Sequence, residues 1–131
     1  MPRLMLSLAA IVFAAQGGFE NEAEYREEMH EIDHAFTALS EHRGMRKGAE
    51  LEREAARLSR LFSRVEEFWT ARGEEEAASF ARMARKGADE VGKAAHDGNE
   101  KALDAAIDMV AASCEGCHKE PLKKYRFPLP E

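Results

Sequence analysis

LEREAARLSRLFSRVEEFWT, residues 51–70, carries the strongest period in the chain. Leu51, Ala55, Leu58, Phe62, Val65 and Trp69 recur at alternating steps of four and three, and Leu61 and Phe68 widen the stripe. A repeat near 3.6 residues places these side chains on one face of a helix, and the width is that of a face turned toward a core.

The same period continues on both sides. Toward the N-terminus, Asn21 with Glu24 three residues later forms a capping box, after which Tyr25, Met29, Ile32, Phe36 and Leu39 step by four, three, four and three. Gly44 closes this first helix by taking the left-handed conformation, and the loop runs on to about Gly48. Toward the C-terminus, Gly73 stops the second helix and Glu74-Glu75-Glu76 opens a third, where acidic groups favour a helix start. The third turns Ala77, Phe80, Ala84, Gly87, Val91 and Ala94 inward. Such a thin face either leaves volume beside the stripe or permits a close helix–helix approach. Asp97-Gly98-Asn99 is a turn with Asn99 as the next N-cap, and Leu103, Ile107, Val110, Cys114 and Cys117 continue the stripe on a fourth helix. Pro121 ends it and disfavours helical geometry at Glu120.

Four runs of roughly 20 residues each span about 30 Å, and short turns make neighbours antiparallel. The predicted fold is all-α: an antiparallel up-down-up-down four-helix bundle whose C-terminal helix carries Cys114, Cys117 and His118. No segment alternates with the period of a strand, and no internal repeat or low-complexity tract interrupts the chain.

The 131 residues are enough for one modest core. With 25 acidic against 19 basic side chains the formal charge is −6, which argues against a nucleic-acid binder, since that would usually show a basic face, and favours a protein partner. Arg3, the apolar run Leu4 to Ala15, and a small-residue cleavage site at Val12-Phe13-Ala14 or Ala15-Gln16-Gly17 read as an export signal over residues 1–17, leaving 18–131 as the mature domain. The apolar run is shorter than the roughly 20 residues that span a bilayer, so no stable membrane insertion is expected once the signal is cleaved. A retained interfacial anchor is the alternative.

Cys114-Glu115-Gly116-Cys117-His118 is the attachment signature of a c-type haem. In that chemistry two thiols add to the vinyl groups as thioethers and the adjacent histidine binds iron. On a helix the cysteines lie one turn apart and His118 follows Cys114 at i+4, so the three side chains share a face. Three other readings compete. A structural zinc site would need two further ligands from His30, His34, His42 and His96. A dithiol redox site is expected beside a βαβ pattern, which is absent from the sequence. Two plain core cysteines would leave the histidine unexplained.

A C-terminal Cys-x-x-Cys-His on the fourth helix of an exported bundle resembles the class II c-type cytochromes, the cytochrome c-prime family and its low-spin relatives. The resemblance covers about Asn21 to Arg126 in architecture, with only the haem motif specific. It implies one covalently attached haem c, a periplasmic location where thioethers form, and a homodimer through the first two helices as a common assembly. Met29-His30-Glu31-Ile32-Asp33-His34-Ala35-Phe36 is similar to the first-helix segment of low-spin members, in which the methionine is the second axial ligand. Tyr125-Arg126 resembles an aromatic-Arg pair that follows the haem histidine, displaced here by Lys119-Glu120-Pro121-Leu122.

Periodicity gives an independent reading of the sixth ligand. Met29 shares the stripe of Tyr25, Ile32 and Phe36, whereas His30 is rotated about 100° from it and His34 lies two residues past Ile32. The plain alternative is that Met29 fills space in the core. His30, His34, His42 and His96 are assigned to solvent or helix edges, Met83 to the edge of the third stripe, Met45 to a loop and Met109 to the outside of the fourth stripe. Trp69 and Phe62 are core residues, or aromatics against the macrocycle.

The expected function is single-electron transfer by a periplasmic monohaem cytochrome with Cys114 and Cys117 holding the haem and His118 and Met29 on the iron. A redox protein is the partner, and no residue acts on a substrate as an enzyme would. The alternative is a five-coordinate, c-prime-type protein that binds nitric oxide or carbon monoxide. Lys119, Lys123, Lys124 and Arg126 form either a basic collar that steers an acidic partner or a solvated tail that complements the helix dipole.

Overall fold

A computed structural model describes the protein over residues 22–43 and 48–119, with the side chains of residues 42 and 43 left out. The leader over 1–17, the Asn21 cap, Gly44, Met45, Pro121, Tyr125 and the basic residues Lys123, Lys124 and Arg126 lie outside the described residues, as does the His42 side chain. Four helices, α1 (Glu22–Arg43), α2 (Gly48–Ala71), α3 (Glu75–Asp97) and α4 (Glu100–Lys119), pack against one another, and there is no strand among the described residues.

The turns form for the local reasons the sequence suggests. Gly73, at φ 71°, takes the left-handed conformation after α2, and the backbone N–H of Glu74 donates to the carbonyl of Trp69 at 3.0 Å. Gly98, at φ 67°, does the same after α3, with the N–H of Asn99 donating to the Ala94 carbonyl at 3.0 Å. Asn99 then caps α4, its Oδ1 accepting from the Ala102 N–H at 3.0 Å. Orphan backbone groups at both ends of this turn are thereby satisfied.

Successive helices pack side by side: α1 on α2, α2 on α3, and α3 on α4. The α1–α2 seam joins Trp69 Nε1 to the Tyr25 hydroxyl at 3.1 Å, Arg64 Nη1 to both Glu28 carboxylate oxygens at 2.9 Å, and Arg57 to Glu31. In the α2–α3 seam Arg82 and Arg85 both donate to Glu66 at 2.9 Å, Ser59 donates to Asp89 at 2.6 Å, and Glu52 meets His96 at 2.9 Å. Residue numbers rise along one helix as they fall along its partner. Beneath these polar rims lie Leu39, Leu58, Val65, Trp69, Val91 and Val110, all fully buried. The exposed ion pairs add about 0–1 kcal/mol each, while truncating one of the large buried side chains to alanine costs about 2–5 kcal/mol, so the apolar interior dominates.

Gly87 shows why the third stripe is thin. A Cβ there would lie 2.8 Å from Val110 Cγ2 and 3.3 Å from the Val110 backbone nitrogen. Missing side-chain volume is thus spent on a close approach of α3 to α4 at this level. Gly92 is different, since a Cβ would meet only Ala55 Cβ, at an ordinary 3.6 Å. Gly92→Ala is therefore expected to raise stability by up to about 1 kcal/mol through helix propensity. Gly87→Ala should lower it by about 1–3 kcal/mol, because backbone must move. Thermal unfolding of the two variants, with midpoints shifting in opposite directions, checks this.

Candidate functional site

Alternate residues of α1 do different things. Tyr25, Ile32, Ala35 and Leu39 are buried, whereas Met29 and Phe36, on the flank of the same stripe, are only partly so. That flank faces a cavity. No close seam joins α1 to α4, and between them opens a space of about 440 Å³ bounded by all four helices. Its size falls in the range of small-molecule and cofactor sites, about 300–1,000 Å³.

From α1 the cavity receives Met29, His30, Ile32, Asp33 and Phe36; from α2, Phe62 and Val65; from α3, Phe80, Ala81 and Ala84; and from α4, Ala111, Ser113, Cys114, Cys117 and His118. The four sequence-predicted site residues, Met29, Cys114, Cys117 and His118, are thus brought together around one space. Small side chains on α3 leave the volume at Ala81 and Ala84, one turn before the close approach at Gly87. The two readings of the thin third helix both hold, at different levels of the bundle.

The Cys114–His118 turn is close-packed behind. A Cβ on Gly116 would lie 2.3 Å from Phe80 Cε1, so the glycine between the cysteines lets the Phe80 ring lie against α4. Ser113, 1% exposed, satisfies its hydroxyl by donating to the Met109 carbonyl at 2.8 Å. Cys117 is buried and Cys114 half-buried. Burial pushes both thiols up to about 11, with the Asp33 carboxylate adding to the effect on Cys114, and Cys114 and Glu76 adding to that on Cys117. Burial also holds His118 below its ordinary value, which leaves a neutral imidazole at neutral pH with a lone pair for a metal.

Behind Cys117 sits an aromatic cluster. Tyr25 stacks on Phe68 at 4.6 Å, and Trp69 meets both rings edge-on at 5.7 and 5.1 Å. Burial raises the Tyr25 phenol well above its usual value against the Trp69 hydrogen bond, with Cys117 a further charge nearby. Trp69 is therefore a core residue that orients Tyr25, while Phe62 lines the cavity.

The remaining candidates fall where periodicity assigns them, with two exceptions. His34 is exposed and off the cavity, His96 pairs with Glu52 at the surface, and Met83 and Met109 are 43% and 38% exposed. His30 and Asp33, both off the stripe, nevertheless reach the cavity rim. Their signal was present in the sequence as polar residues flanking Met29 and Ile32, but only the gap between α1 and α4 gives it meaning. Lys119 is engaged by Glu115 one turn before it. Among the described residues, no group of three or more His, Cys, Asp or Glu is placed to hold a metal ion, and no helix is long and apolar enough to cross a membrane. The site could instead supply two axial donors, His118 from α4 and Met29 from α1, beside two thiols.

No protein-family profile, curated protein or solved structure matches the chain.

Both thiols of haem-free, folded protein should react slowly with iodoacetamide at pH 8, by about a hundredfold relative to the urea-unfolded chain, whose cysteines return to about 8.5. Alkylation rates followed by mass spectrometry against pH provide the check, with the folded rates rising toward about pH 11.

Proposed function

We propose that the protein is a periplasmic monohaem c-type cytochrome of the class II architecture, an up-down-up-down bundle that carries single electrons to and from a redox partner protein. The observation that carries this reading is the meeting of Met29, Cys114, Cys117 and His118 at one apolar-walled cavity. The donor chemistry fits the group. Cys114 and Cys117 would hold a haem as thioethers, and His118 and Met29 would be its axial ligands. When bound, a haem supplies a one-electron Fe(III)/Fe(II) couple.

The chain's own contributions follow from the packing. His118 offers a neutral imidazole without first losing a proton, because burial has already disfavoured the charged form. Met29 offers a soft thioether from the opposite helix, a ligand that raises potential relative to a second nitrogen. Phe36, Phe62, Val65 and Phe80 restrict water and lower the local dielectric, which favours the less charged, reduced state. Met29 and His118 would both bind the iron from packed helices, which would limit rearrangement of the two donors. High thiol pKa values and burial weigh against a reactive dithiol, which depends on an accessible thiolate. Export to the periplasm rests on the sequence of the leader alone.

Purified from an exporting host, the protein should keep its colour after denaturation and show sharp low-spin bands with a weak methionine-to-iron band near the red edge. Met29→Ala should convert that spectrum to a high-spin form that takes up carbon monoxide. A wild-type protein already high-spin would favour the gas-binding alternative, and a colourless one with the mass of the bare chain would end the haem reading.

A further inference from the structure

Among the described residues the cavity lining is apolar, thiol or imidazole except for the Ser113 hydroxyl and Asp33, which is the one carboxylate, and no described lysine or arginine lines the space. Asp33 sits one turn after Met29 on α1, at the cavity between α1 and α4. It is exposed at the rim and lines the same cavity as Cys114, whose thiol burial pushes up, with the Asp33 carboxylate adding to the shift. A fixed negative charge at the edge of a low-dielectric pocket is screened by water on one side only, so its field reaches inward.

We propose that Asp33 is a potential-setting residue: its carboxylate, the one carboxylate among the described lining residues, stabilises the oxidised state of a haem held there and so lowers the reduction potential. This rests on the haem reading above. No bond forms or breaks in the change; one electron arrives from a partner protein or a small-molecule mediator and the site's net charge falls by one. Asp33 opposes that fall, while the apolar walls and Met29 favour it. The potential would then be a balance between a rim charge and a buried thioether, and α1 would supply both.

Asp33→Asn removes the charge at nearly constant shape, and Asp108→Asn, on the exposed face of α4 and off the cavity, makes the same change in total charge as a control. In mediated redox titrations, Asp33→Asn should shift the equilibrium toward the reduced form by about three- to tenfold, the upper figure corresponding to about 59 mV for one electron. Asp108→Asn should leave it near wild type. A second readout needs no haem: in the haem-free chain Asp33→Asn should speed alkylation of Cys114 at fixed pH several-fold and leave Cys117 unchanged. Equal potentials for the two variants, or an unchanged Cys114 rate, overturns the proposal. Absence of covalent haem from the wild-type exported protein overturns the haem reading and the proposal with it, and is told apart because the Cys114 comparison still reports whether the Asp33 field enters the cavity.

Discussion

The arrangement depends on a contact that is not made. Three of the four seams of the bundle close, and the fourth, between α1 and α4, does not. Among the described residues helix α1 packs chiefly on α2, through Leu39, Ile32, Ala35 and the buried Tyr25–Trp69 hydrogen bond in the interior and the Glu28–Arg64 hydrogen bonds at the rim. Helix α4 is held through α3, closely enough at Gly87 and Gly116 that neither position tolerates a methyl group without displacement. Because each outer helix is anchored from behind, the space between them persists without a wall of its own. That space is where the chemistry-bearing residues meet.

Helix α4 combines two tasks that ordinarily conflict. A turn carrying Cys114, Cys117 and His118 must face the cavity, yet the same turn is packed tightly on its other side. Gly116 resolves this by letting Phe80 sit where a side chain would have been. Burial then favours the protonated form of both thiols and the neutral imidazole of His118, while Asp33 is the one carboxylate among the described lining residues. In a low-dielectric pocket a single charge matters more than its partly solvated position suggests.

Glu28 illustrates the opposite case. It is 8% exposed, and burial raises its carboxyl above the ordinary range although Arg64 works against the shift. The pair fixes the register of α1 on α2 near the level of Met29. Breaking one partner would leave a buried charge uncompensated, which costs more than the pair contributes when intact. Electrostatics here set geometry, whereas the apolar core supplies the stability.

Helix number and the turns on either side of the third helix were legible in the sequence because they follow from local causes: the 3.6-residue period of Leu51 to Trp69, the left-handed turns at Gly73 and Gly98, and the Asn99 side chain reaching its own helix. The motif at 114–118 was legible because its chemistry needs residues adjacent in sequence. The part-buried pair Glu28–Arg64, the rim positions of His30 and Asp33, the backing of Gly116 by Phe80, and the division of the third helix into a close approach at Gly87 and open volume at Ala81 and Ala84 were not. Each depends on how far apart two helices stand, a distance set by the sum of side chains on both. No single stripe encodes that sum, and so tertiary packing alone decided where the bundle stays open.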